Sequence, residues 1–209
     1  MCNSLINDLT LYTATGNAPE RVLWALNYKA IAYQQVAVES LPKGAYAGIN
    51  PYGYVPTLQV GEHLIAESMA IVEFLEESCP EPTLFPGTAL ERARIREICE
   101  FVNSTIHPVQ NRSVLKFLRP ELDGAGMLAL RGQWLQQNLQ KLAPRLWLRG
   151  AYAVGDQFSL ADILVAVIYK RALSQGVLAQ DFPAYEAWMH FLFAQEEIRR
   201  SAPFSWPLT

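Results

Sequence analysis

The sequence predicts two domains in tandem, an α/β domain over residues 1–78 and an all-helical domain over residues 89–209. Three observations support this fold class. Short strand-like apolar runs alternate with helix-like patterns in the first part of the chain. The segment CPEPTLFPG holds three prolines and marks a linker at residues 79–88. Beyond this linker the apolar residues recur with a period of about 3.6, which is typical of helices.

The elements of the first domain follow the order β-α-β, a loop, and then β-β-α. LTLYT is a short apolar strand, and Pro19–Tyr28 is helical in pattern because proline is tolerated in a first helical turn. IAYQQVAV is rich in β-branched and aromatic residues and predicts the second strand. VPTLQV and HLIA predict an antiparallel hairpin around Gly61-Glu62, and Ser68–Glu77 predicts the helix that follows.

The second domain is predicted to contain only helices. Their ranges are Leu90 to about Leu118, Gly124 to Leu142, Ser159 to about Ser174 and Pro183 to about Arg200. Ser159 and Asp162 stand three residues apart before an apolar run, which is the pattern of a capping box. We therefore expect both residues to serve as a structural helix cap, and we assign Asp162 no catalytic role.

Composition and charge exclude several classes of function. The 209 residues include 17 basic and 20 acidic ones scattered along the chain, for a net charge of −3, so no nucleic-acid partner is expected. No apolar run approaches the roughly 18 residues of a membrane span, and the first residues do not resemble a signal peptide. The three cysteines lack CxxC spacing, which argues against a metal site and against a disulfide framework. We expect a reduced, cytoplasmic protein that binds no metal and no membrane.

The segment TGNAPERV lies at the junction between the first strand and the first helix. Gly16, Asn17 and Pro19 in such a position bring backbone and side-chain donors to a helix N-terminus. An N-terminus of this kind favours an anion, because its N–H groups and its dipole point toward the ligand. Asn17 is the polar side chain best placed to contact that ligand, unless it only caps the helix.

A second motif combines YGYVPT with AES eleven residues later. A cis Val55–Pro56 bond would turn the Val55 backbone groups outward, so that an extended peptide pairs with them as with a strand edge. Glu67 and Ser68 begin a helix whose N–H groups would meet the carboxylate of that peptide. The alternatives are an ordinary trans proline before the strand and a Ser68 that only caps the helix.

A third motif, IHPVQNRSVL, interrupts an otherwise amphipathic helix with polar residues. Its candidate site residues are His107, Gln110, Asn111 and Arg112. These side chains either line a substrate site or form a solvated helix face beside a proline kink.

These motifs, the proline linker and the late GDQFSLAD segment together resemble the cytosolic glutathione transferases over nearly the whole chain. LPKGAYAGINPYGYVPTLQV and IHPVQN are most similar to the zeta class, which includes maleylacetoacetate and maleylpyruvate isomerases. The resemblance implies a thioredoxin-like first domain, an all-helical second domain, a homodimer, and glutathione as substrate or bound cofactor. Tyr52 and Tyr54, in a loop expected to be exposed, are candidates for the dimer interface.

The chain departs from the zeta class at two positions that concern the chemistry. Zeta enzymes carry a Ser-Ser-Cys run after the first strand, whereas this chain has TATGNAPER. That loop resembles PGSAPCR of theta- and delta-like transferases, with Asn17 in the place of their serine. Ser174 stands where zeta isomerases carry an arginine.

Asn17 is predicted to stabilise the thiolate of glutathione. A hydrogen bond to a charged group contributes about 1.5–3 kcal/mol, which lowers a thiol pKa by roughly one to two units. Thr15 is the second candidate for this role, and Thr13 is a further hydroxyl donor.

The resemblance implies a role for each remaining residue of the first domain. The Val55 backbone beside Pro56 would pair with glutathione, Glu67 would meet its amino group, and Ser68 would bind its γ-glutamyl carboxylate. Lys43 is the candidate for the glycyl carboxylate. The second substrate would lie between residues 15–17, called the TGN loop below, and the His107–Arg112 face.

Three functions remain open from the sequence. The first prediction is a glutathione transferase that conjugates a small hydrophobic electrophile. The second is a cis–trans isomerase of a maleyl-type diacid, for which Arg112 is the only obvious cation. The third is a non-catalytic module that binds glutathione or a partner, because a fold does not fix a function.

Overall fold

The computed structural model describes residues 8–207, apart from the side chain of Asn17. The contacts divide the chain into two compact units. One unit runs to Leu84 and includes Gln195–Ser205, and the other contains Phe85–Ala194 and Trp206. The architecture confirms the predicted class of an α/β domain and a helical domain.

A four-stranded sheet forms the centre of the first unit. The strands are β1 (Leu9–Thr13), β2 (Gln34–Ala37), β3 (Thr57–Val60) and β4 (His63–Ala66), in the order β2-β1-β3-β4. β1 pairs with β2 in parallel, and β3 pairs antiparallel with both β1 and β4. The second strand is shorter than IAYQQVAV predicts, since it begins only at Gln34 and ends at Ala37, where a 3₁₀ helix at Val38–Ser40 follows.

The helices of this unit begin with α1 (Asn17–Tyr28), α2 (Tyr46–Ile49) and α3 (Ser68–Ser78). α1 begins two residues before its predicted start at Pro19. Pro19 nevertheless lies in the first turn, where the backbone N–H groups have no partner within the helix. α1 and α3 pack against each other, and Val22, Leu26 and Ile71 are fully buried.

A buried ion pair fixes α1 against α3 and the start of the linker. The Lys29 Nζ atom lies 2.6 Å from a carboxylate oxygen of Glu76, and the Lys29 side chain is fully buried. Lys29 also donates to the carbonyl oxygens of Cys79 and Pro82, both at 2.8 Å. Because all these bonds satisfy a buried ammonium group, removal of Glu76 would leave an uncompensated charge.

The second unit contains α4 (Ala89–Glu100), α5 (Arg112–Leu118), α6 (Gly124–Leu142), α7 (Leu160–Ser174) and α8 (Pro183–Ala194). The prediction of one continuous helix from Leu90 to Leu118 is wrong. A π-helix at Phe101–Ile106 and a 3₁₀ helix at His107–Gln110 separate α4 from α5. Pro108 lies in the 3₁₀ helix, and its missing N–H group removes a bond that an α-helix requires.

α7 is the central helix of this unit, and its residues from Leu160 to Tyr169 are buried. Asp162, fully buried, accepts hydrogen bonds from the backbone N–H and the hydroxyl of Ser159, at 2.9 and 2.8 Å. Its other carboxylate oxygen accepts from the Ala153 N–H at 2.8 Å. These bonds tie the start of α7 to the loop that precedes it.

The predicted helix from Pro183 to Arg200 is also interrupted. Gln195 adopts an extended conformation between α8 and α9 (Glu196–Ser201). α9 packs in the first unit, where Trp24 donates to the Ser201 hydroxyl at 3.2 Å and Asn27 donates to its carbonyl at 2.9 Å.

Within residues 8–207, no helix is long and apolar enough to cross a membrane. Cys99 is a buried free thiol. Cys79 is disulfide-bonded, so the prediction of reduced cysteines is wrong for that residue. Cys2 lies outside the described residues.

Candidate functional site

The register of the sheet brings three predicted segments to one edge of the first unit. Tyr12 near the end of β1 pairs with Thr57 at the start of β3, and Thr57 pairs with Ala66 at the end of β4. The TGN loop follows β1, the Val55–Pro56 pair precedes β3, and Glu67 follows β4. All three segments therefore leave the sheet at the same end, although they are far apart in the sequence.

The Val55–Pro56 peptide bond is cis, and Val55 is partly exposed while Pro56 is buried. Two side chains hold this loop. The Tyr46 hydroxyl donates to the Tyr54 carbonyl at 2.7 Å and lies 2.8 Å from the Thr57 hydroxyl. The Asn50 amide donates to the same two groups, at 2.7 and 3.1 Å. The loop is therefore fixed at both ends by residues that the sequence analysis did not single out.

The start of α3 has an unusual backbone. Glu67 occupies the N-cap position, is exposed, and has a backbone φ of 71°, in the left-handed region that favours glycine. A positive φ is uncommon for residues other than glycine, and such residues occur disproportionately at functional sites. Ser68 is the first residue of the helix and only 4% exposed, so it is not the N-cap that the alternative interpretation required. The first N–H groups of α3 have no partner within the helix.

The TGN loop ends at the start of α1. Gly16 occupies the N-cap position and Asn17 is the first helical residue, so the interpretation of Asn17 as a simple N-cap is wrong. Thr15 is exposed. Thr13 is buried, and its hydroxyl accepts a hydrogen bond from the Gln35 amide at 3.1 Å. Lys43 is exposed in the loop before α2.

The candidate residues of the second unit differ in their surroundings. His107 and Gln110 are at the two ends of the 3₁₀ helix, Asn111 follows it, and Arg112 begins α5. Gln110 is only 6% exposed, which rules out a solvated helix face for this residue. Both polar atoms of its side-chain amide are buried without a hydrogen-bond partner in the part of the chain that the structure describes. Such groups are rare in folded proteins, and a bound water, ion or ligand can supply the missing hydrogen bonds.

Arg112 has two cationic neighbours that sequence reasoning missed. Lys116 and Arg131 line the same cavity, whose volume is about 350 Å³. The i, i+4 spacing of Arg112 and Lys116 on α5 is a signal that identifies the first neighbour from the sequence. No sequence signal identifies Arg131, because it lies on another helix. Among residues 8–207, no cluster of side chains is suited to a metal ion.

The two units match the two parts of one protein family. Residues 7–77 match the glutathione S-transferase N-terminal domain, and residues 134–196 match the glutathione S-transferase C-terminal domain. Maleylpyruvate isomerase from Ralstonia sp is 33% identical over 196 residues, which cover 90% of this chain and 92% of that relative. The chain belongs to the glutathione S-transferase family. Its relatives include proteins named maleylacetoacetate isomerase, from Pseudomonas aeruginosa, and glutathione S-transferase 1, from Dianthus caryophyllus.

Two solved structures within this family are similar to the chain as a whole. A holo maleyl pyruvate isomerase, described as a bacterial zeta-class transferase, gives a TM-score of 0.84 at 32% identity and covers 95% of this chain and 98% of its own. Maleylacetoacetate isomerase from Anaeromyxobacter dehalogenans, with glutathione in its active site, gives a TM-score of 0.81 at 30% identity. The match covers 94% of this chain and 95% of that isomerase. The resemblance to the zeta class is thereby confirmed.

The residues at the sheet edge of this glutathione S-transferase suit the groups of a tripeptide. A partly exposed Val55 backbone offers peptide-like hydrogen bonding. A buried hydroxyl at Ser68 and the first N–H groups of α3, which have no partner within the helix, suit a carboxylate, while the exposed Glu67 carboxylate suits an ammonium group. The chemistry of these donors and acceptors fits glutathione.

Proposed function

We propose that the protein is a glutathione-dependent cis–trans isomerase of a small maleyl-type diacid. The observation that carries this proposal is the similarity to isomerases at 32–33% identity over at least 90% of this chain. This similarity favours the isomerase over the conjugating transferase that was the first prediction from the sequence.

Glutathione binds at the sheet edge of the first unit in this proposal. The Val55 backbone beside Pro56 pairs with the cysteinyl backbone, Ser68 binds the γ-glutamyl carboxylate, and Glu67 binds the amino group. Lys43 contacts the glycyl carboxylate. The hydrogen bonds from Tyr46 and Asn50 support this assignment, because they fix the loop before glutathione arrives and so reduce the entropy that binding costs.

Bound glutathione supplies a thiolate that adds reversibly to the carbon–carbon double bond of the diacid, which permits rotation about that bond and returns the thiolate unchanged. Asn17, in the first turn of α1, donates a hydrogen bond to this sulfur and keeps it ionised. The helix N-terminus adds positive potential at the same place. Thr15 is the alternative donor.

The diacid is bound by residues of the second unit. Gln110 has an unpartnered buried amide that suits a carboxylate or keto oxygen, and Arg112 provides a positive charge. His107 at the start of the 3₁₀ helix and Asn111 between these two residues contact the same substrate. A diacid needs more than one positively charged or donor group, and the polar groups around the 3₁₀ helix meet this need.

The test is conversion of maleylpyruvate to fumarylpyruvate, followed by proton NMR, which separates the cis and trans vinyl signals. We expect trans product at a rate that rises with glutathione concentration and saturates. Absence of trans product above the rate for glutathione alone would exclude the isomerase.

A conjugating transferase is the second candidate, favoured by the TGN loop and by Ser174, where this chain departs from zeta isomerases. Its test is conjugation of glutathione to a generic aromatic electrophile, followed by absorbance. A protein that binds glutathione but catalyses neither reaction would be a binding module.

We further propose that the enzyme acts in the cytoplasm as a homodimer. The exposed Tyr52 and Tyr54, at 67% and 51%, support the dimer because aromatic side chains commonly anchor interfaces. Sedimentation of a 23.5 kDa species at micromolar concentration would contradict the dimer. Recovery of the protein in a secreted or membrane fraction of the native cells would contradict the cytoplasmic assignment.

A further inference from the structure

A tryptophan of α6 bonds to the backbone of the segment that precedes α5. The indole Nε1 atom of Trp134 donates to the Ile106 carbonyl oxygen at 3.2 Å, across 28 residues of sequence. Ile106 is fully buried and is the last residue of the π-helix. Buried carbonyl groups are nearly always hydrogen-bonded, and here one of the donors comes from another helix.

The backbone changes its hydrogen-bond pattern at this carbonyl. The His107 N–H bonds to the carbonyl five residues before it, as in a π-helix. Pro108 has no N–H, and the Asn111 N–H bonds to the Pro108 carbonyl at 3.1 Å, three residues before it. In a regular α-helix the partner of the Ile106 carbonyl would be the Gln110 N–H. Such irregular turns mark functional hinges, and a bond from outside the segment favours one arrangement of its backbone.

α6 provides a fixed support for Trp134. The Trp134 carbonyl accepts a hydrogen bond from the side-chain amide of Asn138 at 2.8 Å, and Asn138 is only 1% exposed. The Tyr185 hydroxyl of α8 donates to a second carbonyl of α6 at 2.9 Å. At Gly132 the helix lies so close to its neighbour that an added Cβ atom would be 2.5 Å from the Gln175 carbonyl oxygen. A side chain on a helix held in this way places its N–H group precisely.

We propose that Trp134 is a positioning residue for the segment His107–Asn111. This inference rests on the proposed isomerase, because the segment carries Gln110, whose amide is assigned to the diacid. Trp134 acts through the Ile106 carbonyl and does not touch the substrate. Without this bond the arrangement that aims Gln110 is less populated, and the apparent affinity for the diacid falls with that population.

The test is Trp134→Phe, which keeps an aromatic ring and removes the N–H donor. We expect KM for maleylpyruvate to rise about 2- to 12-fold, the factor that a neutral hydrogen bond contributes, with a smaller change in kcat. Glutathione affinity should stay unchanged, because that ligand is assigned to the first unit. The matched control is Trp24→Phe, since the Trp24 indole also donates at 3.2 Å, but to the Ser201 hydroxyl of the first unit. This control should leave KM for maleylpyruvate unchanged.

Hydrogen exchange of the backbone amides tests the positioning without turnover. Trp134→Phe should speed exchange within residues 107–111, and Trp24→Phe should not. Faster exchange throughout the second unit would indicate an ordinary structural role and overturn the proposal, as would unchanged exchange.

A double variant tests whether Trp134 acts through Gln110. Trp134→Phe combined with Gln110→Leu should have the KM of Gln110→Leu alone, because two residues that act through one contact are not additive. Additive effects, or an unchanged KM in Trp134→Phe, would overturn the proposal. Absence of trans product with the unaltered protein would instead overturn the isomerase, and the exchange result would then decide the role of Trp134 by itself.

Discussion

Replacement of Ser68 by alanine isolates one contact of the proposed glutathione site. Ser68 is 4% exposed at the first residue of α3, and Glu67 occupies the N-cap position, so the substitution removes a hydroxyl without removing a helix cap. We therefore expect the fold to be retained and the loss to fall on ligand binding. A hydrogen bond to a charged carboxylate contributes about 1.5–3 kcal/mol, which corresponds to roughly 10- to 100-fold in the dissociation constant of glutathione.

The assay is calorimetric titration of glutathione into Ser68→Ala and into a matched control, Ser78→Ala. Ser78 is the last residue of the same helix and is 8% exposed, so the control makes the same change at the opposite end of α3. We expect Ser78→Ala to bind glutathione like the unaltered protein. Equal affinities for both variants would refute the assignment of the carboxylate to Ser68.

Three further predictions concern the thiol, the diacid and the stability of the second unit. Asn17→Ala should raise the pKa of bound glutathione by roughly one to two units, measured by thiolate absorbance, while Asn17→Ser should retain much of the effect. If the thiol pKa is unchanged in Asn17→Ala but raised in Thr15→Ala, then Thr15 and not Asn17 stabilises the thiolate. Gln110→Leu should raise KM for the diacid at least about tenfold and leave glutathione affinity unchanged, since a leucine donates no hydrogen bond; an unchanged KM would contradict its role. Burial raises the pKa of Asp162 from its ordinary value of 3.8 to about 7, against opposing hydrogen bonds from Ala153 and Ser159. The folded state therefore binds a proton more tightly than the unfolded chain, and this stabilisation is lost as pH rises from about 4 to about 7. Urea unfolding of the unaltered protein and Asp162→Asn should differ in this pH dependence, and parallel curves would contradict the raised pKa.

The elements with a strong local signal were predicted well. The structure has β1 at the predicted LTLYT and α6 at the predicted Gly124–Leu142. The long helix predicted before α6 failed because an apolar period continues across Pro108, while the backbone bonds of an α-helix do not. The break between α8 and α9 falls at Gln195, where neither glycine nor proline marks it. Periodicity reports which residues face a core, and it does not report a change in helix direction.

The candidate site was predictable in the first unit and less so in the second. The three segments at the sheet edge follow from strand order alone, because each adjoins the end of a strand. The support that Tyr46 and Asn50 give to the Val55–Pro56 loop depends on tertiary packing, which has no local pattern. The approach of Arg131 to Arg112 depends in the same way on how α5 and α6 pack.

The most direct test of the isomerase compares glutathione with S-methylglutathione in the conversion of maleylpyruvate to fumarylpyruvate. The methylated tripeptide keeps the carboxylates, amino group and backbone that the first unit is proposed to bind, but its sulfur cannot form a thiolate. We expect trans product with glutathione, none with S-methylglutathione, and inhibition when the two are mixed. Equal rates with the two tripeptides would contradict it, because the reaction would then not use the sulfur.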